Sequence, residues 1–126
     1  MKQNIVYISD MTFDESCYIR GNEKWKAETL YKHAERTKAK KFNFPLAAFD
    51  QSMTNAFCNH NLKDFLFQIK RVLNCDYNIP IILDDYGQIA DGYHRVIKAI
   101  LDGKTHIKAI RLNSMPEPDA ILNNQE

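Results

Sequence analysis

The sequence predicts a single α/β (α+β) domain in which a small mixed sheet packs with at least three helices. Short apolar runs bounded by turn residues, such as 79–83, are typical of buried strands. Apolar residues recur with helical spacing in 61–74 and again in 93–101. The 126 residues are 44% hydrophobic and 26% charged, which suits one globular domain with its own core.

The composition limits the classes of function. A formal net charge of +1 gives the whole molecule no strong attraction to nucleic acid or to a membrane. The three cysteines are far apart and form no Cys-x-x-Cys motif, so neither a zinc ribbon nor a disulfide framework is indicated. The first apolar run, 5–8, is too short for a signal peptide, and no stretch has the length of a membrane span. The expected location is a reducing cytoplasm.

Residues 1–41 are predicted to form an N-terminal extension consisting of a strand and a peripheral helix. The run 5–8 predicts the strand, and 9–22 gives no assignable element. The helix is predicted from Glu23 to Thr37, with Asn22 as its N-cap. Its apolar face would contain Ala27, Leu30, Tyr31 and Ala34.

Positive charge is concentrated at the end of this helix and just after it. Five basic residues fall within ten positions, beside two aromatic ones: Lys32, Arg36, Lys38, Lys40 and Lys41, with Tyr31 and Phe42. Basic residues interleaved with aromatic ones can grip phosphates and stack bases, which makes nucleic acid a candidate partner. Glu28 and Glu35 dilute the patch, and the favoured interpretation is a solvated surface of a helix packed on the core.

Residues 42–114 are predicted to hold the core of the domain. The run 44–49 resembles a strand, with Pro45 indicating an edge or a strand start. The loop 50–60 places Cys58 near His60, but two ligands are too few for a metal site. The clearest helix spans 61–74, capped by Asn61. Its apolar stripe is predicted to face the core and consists of Leu62, Phe65, Leu66, Ile69, Val72 and Leu73.

The chain is organised around 79–112. A strand over 79–83 is followed by turn residues at 84–87 and a short strand over 88–90. Asp91 is predicted to cap a helix that continues from Tyr93 to Leu101 and ends before Gly103. A last strand is predicted over 105–112. Residues 115–126 contain two prolines and a polar end, and they are expected to form a frayed tail.

The start of the 93–101 helix is the candidate site. His94 and Arg95 lie in its first turn, where the helix dipole disfavours cations. Arg95 at that position indicates a bound anion, and phosphate is the usual one. Arg71 could reach the same anion, although a surface arginine is the favoured interpretation. The alternative for the corner is that Asp91 only caps the helix and Arg95 is solvated.

The corner Asp91-Gly92-Tyr93-His94-Arg95, with the order of elements over 80–112, resembles the core of the ParB/sulfiredoxin-like superfamily. The resemblance implies a stand-alone domain in which Gly92, Tyr93, His94 and Arg95 bind the phosphates of ATP or another nucleotide with Mg²⁺. Tyr93 stands where sulfiredoxins carry a reactive cysteine, so sulfiredoxin chemistry is not expected. Only 14 residues follow Leu112, too few for the helix-turn-helix domain of the chromosome-partitioning members.

The free-serine kinase branch of that superfamily has an Asp-Gly-His-His-Arg corner, which resembles 91–95 more than the corners of the sulfiredoxins and the chromosome-partitioning proteins do. That branch also uses an acidic residue after an earlier strand, for which Asp50 is the candidate here. A nucleotide-dependent phosphotransferase or NTPase would draw its carboxylates from Asp91, Asp84, Asp85 and Asp50. His94 would act as an acid or base, or would only order the corner.

Two alternatives to a nucleotide-binding domain stay open. One is a non-catalytic module that binds DNA or a protein through 32–41. The other is a ParB-like nuclease, which would need carboxylates clustered around a metal, with Asp84, Asp85 and Asp91 closest in sequence. The metal ligands, the acceptor and the oligomeric state, a homodimer included, are not determined by the sequence.

Overall fold

Two small sheets and three helices make up the structure, a computed structural model that describes residues 5–8, 16–49 and 61–123. The strands are β1 (Cys17–Arg20), β2 (Glu23–Lys26), β3 (Lys41–Pro45), β4 (Ile81–Leu83), β5 (Ile89–Asp91), β6 (His106–Arg111) and β7 (Ala120–Ile121). The helices are α1 (Ala27–Arg36), α2 (Leu62–Asn74) and α3 (Tyr93–Leu101). One sheet has the order β1-β2-β7 and the other β3-β6-β4-β5. The predicted mixed class with three helices is confirmed.

The four-stranded sheet is mixed, as predicted. β4 runs parallel to β6, with Ile82 beside Ile110, whereas β4–β5 and β3–β6 are antiparallel pairs. All three residues of β4 are buried, as expected for a strand covered on both faces. The predicted strands over 79–83, 88–90 and 105–112 correspond to β4, β5 and β6. The strand predicted over 44–49 lies earlier, in β3, and a short 3-10 turn over Leu46–Ala48 follows it.

Each face of this sheet has its own core. α3 covers one face, where the buried residues are Leu46, Ile81, Leu83, Ile89, Val96, Ala99, Ile107 and Ala109. α1 and β2 cover the other, with Trp25, Leu30, Ala34, Ile82, Ala90, Ile110 and Leu112. The sheet therefore holds both layers together, and α3 is fixed against it along one side.

The N-terminal prediction is wrong at two places. Residues 5–8 form no strand, and Glu23–Lys26 is the strand β2 rather than the first turn of a helix. Gly21 turns the chain between β1 and β2 with a φ of 63°. Strand pairing explains the change, because all four residues pair with β1, where Trp25 stands opposite Tyr18. α1 therefore begins at Ala27, and Asn22 does not cap it.

The prediction of a frayed tail is wrong for the segment around β7. β7 pairs antiparallel with β2, with Lys24 opposite Ala120. The backbone N–H of Lys26 donates to Asp119 Oδ2 at 2.8 Å, and Trp25 Nε1 donates to the carbonyl oxygen of Pro116, also at 2.8 Å. This segment completes the three-stranded sheet.

α2 begins as predicted, but within the described part of the chain most of its apolar stripe is exposed, at Leu62, Phe65, Ile69 and Leu73. The Asn61 side chain accepts a hydrogen bond from the Asp64 N–H at 2.9 Å. Val72 is the buried residue of this helix, whereas Leu62 is 69% exposed and Leu73 64%. The helix meets α3 on its Gln68 side, so the stripe is turned away from the contact. At 13 residues α2 is the longest helix, and none in the described part of the chain has the length and apolar character to cross a membrane.

Candidate functional site

The chain changes from β5 to α3 at a sharp corner, as predicted. β5 ends at Asp91 and α3 begins at Tyr93, with Gly92 between them at a φ of 123°. This conformation favours glycine, and a Cβ placed on Gly92 would lie 2.7 Å from Cβ of Ile81. The prediction that Asp91 caps the helix is wrong. Asp91 still belongs to the strand, so the N-cap is Gly92, which has no side chain to make a capping hydrogen bond.

The Arg95 guanidinium is built into the corner rather than exposed at it. Nη1 donates to the carbonyl oxygens of Ile79 at 3.0 Å and Pro80 at 2.9 Å. Nη2 donates to Asp91 Oδ2 at 2.7 Å and to the Tyr31 hydroxyl oxygen at 2.8 Å. The side chain is 11% exposed, so the expectation of a solvated arginine is wrong. Arg95 ties α3 to β5, to the segment before β4 and to α1.

Tyr31 supports the same network from α1. Its hydroxyl lies 2.7 Å from the Pro80 carbonyl oxygen and 3.2 Å from Asp91 Oδ2. Burial raises the pKa of Tyr31 to about 12, so its hydroxyl keeps its proton and can donate. Asp91 Oδ2 thus accepts from Arg95 and lies within reach of the one Tyr31 hydroxyl proton, for which the Pro80 carbonyl oxygen is the nearer acceptor. No described residue donates to the other oxygen, Oδ1.

His94 points from α3 toward α2. Its Nε2 lies 2.6 Å from Oε1 of Gln68. Burial lowers the pKa of His94 to about 4, and the positive charges of Arg71 and Arg95 act in the same direction. The ring is therefore neutral at pH 7, and Nε2 donates its proton to Gln68. This geometry favours the alternative in which His94 orders the corner over the one in which it exchanges protons near neutral pH.

Tyr93, another predicted site residue, does not line the cavity with its side chain. The Tyr93 side chain packs on the core under α3, with its ring 6.1 Å from that of Phe49 in an edge-to-face arrangement. Only the backbone of Tyr93 is at the corner. Asp50 lies outside the described residues, as do Cys58 and His60.

A cavity of about 290 Å³ opens in front of the N-terminus of α3. The structure brings four of the predicted site residues together in its wall: Asp91, Gly92, His94 and Arg95. Arg71 from α2 also lines it, in agreement with the less favoured of its two interpretations, and Cys75 and Asp76 are additions that were not predicted from the sequence. Arg71 is three residues from Gln68, so both lie on the side of α2 that meets α3.

The electrostatics of the cavity depend on the helix as much as on side chains. With His94 neutral, the charges of Arg71 and Arg95 are balanced by those of Asp76 and Asp91. The N-terminus of α3 adds roughly half a positive charge. Burial raises the pKa of the Cys75 thiol, whose sulfur lies 3.1 Å from the Val72 carbonyl oxygen, so the thiol is protonated at neutral pH. Among its described residues, the cavity therefore offers a positive site for an anion and no thiolate nucleophile.

Asp84 and Asp85 belong to a different part of the molecule. Asp84 follows β4 and is fully buried, while Asp91 pairs with Ile82 at the other end of the β4–β5 hairpin. Asp85 Oδ1 accepts from Arg20 at 2.6 Å. No three His, Cys, Asp or Glu side chains are placed to hold a metal ion in the described part of the chain. The carboxylate cluster that a nuclease would need is not formed by these described residues.

Comparisons of the chain with protein-family models, with curated proteins and with solved structures found no match. The resemblance to the ParB/sulfiredoxin-like superfamily thus depends on the corner motif and the order of elements, and it stays a prediction.

Proposed function

We propose that the cavity at the N-terminus of α3 binds a phosphate group of a nucleotide. The observation that carries the proposal is that Arg71 of α2 and Arg95 of α3 both line the cavity, which lies at the positive end of the α3 dipole. The cavity has a volume of about 290 Å³, which is at the lower end of the volumes of small-molecule sites. It would enclose the phosphates and leave the base nearer the surface.

The two arginines have different roles in this proposal. Arg95 already donates to four acceptors, so it fixes the shape of the corner and contributes its charge from behind. Arg71 would make the charge-assisted contact to phosphate. Gly92 lines the cavity with its backbone, and the place that a Cβ would take is filled by Ile81.

A magnesium ion carried by the nucleotide would also fit this lining. Mg²⁺ at nucleotide sites takes most of its ligands from phosphate and water, with one or two carboxylates from the protein. Asp76 and Asp91 both line the cavity and could supply them. Their negative charge would then be offset by the ion rather than opposing the phosphate.

Binding is the proposal, and catalysis is a further step that needs more than the cavity holds. A kinase or NTPase must position a base for the attacking hydroxyl or water. His94 is neutral and bonded to Gln68, and Asp91 is engaged by Arg95. A nucleotide-dependent kinase or NTPase would therefore depend on another carboxylate, for which Asp50 is the sequence candidate.

Isothermal titration calorimetry with ATP, ADP, CTP and GTP, each with and without Mg²⁺, tests the proposal. We expect binding of at least one nucleotide, and Arg71→Gln should weaken it roughly ten- to hundredfold, the effect of one charge-assisted hydrogen bond. Lys63→Gln, which removes an exposed positive charge from the same helix, is the matched control and should change nothing. No heat of binding with any nucleotide, or equal effects of the two variants, would refute the proposal.

A further inference from the structure

The four-stranded sheet ends in an uncovered edge at β3. The order of its strands is β3-β6-β4-β5, and β5 at the far side lies next to β1 of the three-stranded sheet. Among the described strands, β3 pairs with β6 alone. The outer edge of a strand presents unpaired N–H and C=O groups, which form a template for a further strand. An extended segment of polypeptide is therefore what this edge fits.

The hydrogen bonds to β6 show which backbone groups of β3 point outward. The two strands are antiparallel, and just beyond the end of β3 the Leu46 N–H donates to the carbonyl oxygen of Thr105 at 2.9 Å. Backbone groups alternate in direction along a strand, so those of the odd-numbered residues in 41–45 point away from β6. Pro45 agrees with this alternation, because a proline is tolerated in an edge strand where the missing N–H would face outward.

Two aromatic rings lie along this edge, on the face of the sheet that α3 covers. Phe44 packs on the core under α3. Phe42 lies two residues earlier and hence on the same face, where its ring packs edge-to-face on Phe44 with 6.5 Å between the ring centres. Phe42 remains 37% exposed. The edge thus combines outward backbone groups with an exposed aromatic surface beside them.

We propose that β3 pairs with β3 of a second copy of this chain, antiparallel and with the two Asn43 residues opposite each other. Each Asn43 exchanges both backbone hydrogen bonds with its counterpart, since its N–H and C=O point outward. The Lys41 N–H donates to the carbonyl oxygen of the partner's Pro45, which has no N–H to give in return. The two four-stranded sheets then form one continuous sheet across the dimer.

The side chains favour a second copy in this register. Phe42 stands opposite the partner's Phe44 on both sides of the two-fold axis, in the closer, non-hydrogen-bonded positions, so the four rings form one cluster. The two Lys41 residues lie four positions apart along the pair, about 13 Å, which keeps their charges separate.

The neighbouring register is less favourable. Shifting the pair by two residues toward Lys41 sets the two Phe42 rings opposite each other and leaves Phe44 without a partner ring. It also brings the two lysines to about 7–8 Å. Because the same strand of both copies forms the contact, the pairing closes at two chains.

This interface is separate from the cavity at the start of α3. The described residues that line the cavity include none from β3. Dimerisation therefore does not depend on the proposed nucleotide site. A different surface that could join two copies is the exposed stripe of α2, where Leu73 is 64% exposed, and the experiment must distinguish the two.

Sedimentation equilibrium of the full chain, from micromolar to millimolar concentration, tests the proposal. We expect a monomer–dimer equilibrium whose dissociation constant Phe42→Glu raises at least tenfold, because it places two carboxylates in the aromatic cluster. Ile19→Glu makes the same kind of change at a 52% exposed residue of β1, the outer strand of the other sheet, and should leave the equilibrium unchanged. Circular dichroism checks that the variants fold. A monomer at every concentration, or a dimer dissociated by Leu73→Glu and not by Phe42→Glu, would overturn the proposal.

Cysteine cross-linking tests the register without a change in the aromatic rings. Hydrogen-bonded partners in an antiparallel pair have Cα atoms about 5.5 Å apart, within the range that a disulfide spans. Asn43→Cys should therefore form a covalent dimer on mild oxidation, well above the background of wild-type protein with its native cysteines. Lys41→Cys, with about 13 Å between the two positions, is the matched control and should stay at that background. Equal cross-linking of the two variants, or none above the wild type, would overturn the pairing.

Discussion

The hydroxyl of Tyr18 donates a hydrogen bond of 2.7 Å to Oδ2 of the fully buried Asp84, and this contact joins the two sheets. Asp84 Oδ1 accepts from the backbone N–H groups of Tyr86 and Gln88, each at 2.9 Å. Arg20, on the same strand as Tyr18, lies 3.3 Å from Oδ2. Burial acts to raise the pKa of Asp84, but these partners outweigh it and hold the pKa below its usual value.

Removing the Tyr18 hydroxyl should therefore weaken the whole fold. Tyr18→Phe keeps the ring that stacks on Trp25 but deprives a buried carboxylate of a donor. We expect a loss of about 1.5–3 kcal/mol in the free energy of unfolding, measured by urea denaturation at neutral pH. Tyr86→Phe, at an exposed tyrosine, should cost far less. A Tyr18→Phe protein as stable as the wild type would show that this bond does not join the sheets.

The same variant should respond differently to acid. The folded-state pKa of Asp84 lies below its unfolded value, so its contribution is present above the unfolded pKa, near 3.9, and is lost as the pH falls through the folded pKa. Without Tyr18 the folded pKa should rise. The acid-unfolding midpoint of Tyr18→Phe should consequently move to higher pH.

Arg95 should be required for stability without any ligand. Arg95→Ala removes four hydrogen bonds and leaves Asp91 as an uncompensated, largely buried carboxylate. Breaking such a pair typically costs about 3 kcal/mol or more, so the thermal unfolding temperature of the apo protein should fall sharply. Arg95→Lys should recover only part of the loss, since an ammonium group cannot span the same acceptors. Arg111→Ala, which removes one exposed hydrogen bond to the Asp85 carbonyl oxygen, is the control. Comparable melting of the two alanine variants would contradict this role.

The corner itself can be tested at Gly92. Gly92→Ala combines a positive φ with a Cβ pressed against Ile81, whereas at Gly103 the φ of 76° is also positive but no atom lies within 4 Å of a Cβ. Gly103→Ala should therefore lower the free energy of unfolding only by the cost of the positive φ, about 1–2 kcal/mol. Gly92→Ala should lower it clearly more, as measured by urea denaturation of both variants. Equal losses would mean that Ile81 moves aside at no cost.

His94 should make the protein less stable as the pH falls from about 6.5 to about 4. The unfolded chain takes up a proton at the ordinary histidine pKa, near 6.5, while the folded ring takes one only near pH 4. Between these values the unfolded state binds more protons, so stability decreases with falling pH. His94→Gln is uncharged throughout, and its urea midpoint should vary less across this window. Parallel pH profiles of the two proteins would exclude the shift.

Trp25 can report on the docking of the C-terminal segment, since it is the single tryptophan and is buried. Truncation after Asn113 removes β7 and the carbonyl oxygen of Pro116 that accepts from its Nε1. The fluorescence emission of Trp25 should then shift to the red. Truncation after Leu122, which keeps β7, should leave the emission unchanged. An unshifted spectrum after the longer deletion would show that this segment does not cover Trp25.

Local signals were sufficient for the elements around the corner. The turn at 84–87, the helical spacing after Tyr93 and the stop at Gly103 each act within a few residues, so the sequence specified them. β2 was missed because its first partner, β1, lies in the polar and mixed segment 9–22, and its second, β7, comes almost a hundred residues later. Glu23–Lys26 contains one apolar residue, Trp25, and the helical pattern that follows it is stronger.

The candidate site was predicted in place but not in detail. Asp91, Gly92, His94 and Arg95 do share a cavity, because they are contiguous at one corner. The acceptors of Arg95, however, include Tyr31 and the carbonyl oxygens of Ile79 and Pro80, which only the tertiary structure brings near. Whether a first-turn arginine contacts solvent or the protein interior is set by such distant neighbours.

The pairing of β2 with β7 also constrains the order of folding. Residues 23 and 24 pair with residues 121 and 120, so the three-stranded sheet closes a loop of almost a hundred residues. Closing such a loop is entropically costly and slow compared with forming α2 or the β4–β5 hairpin. The β1–β2 hairpin is local, but during synthesis its third strand must wait for residue 121 to emerge from the ribosome. Until then Trp25 lacks its cover, and the nascent chain presents that apolar surface to chaperones or to other chains.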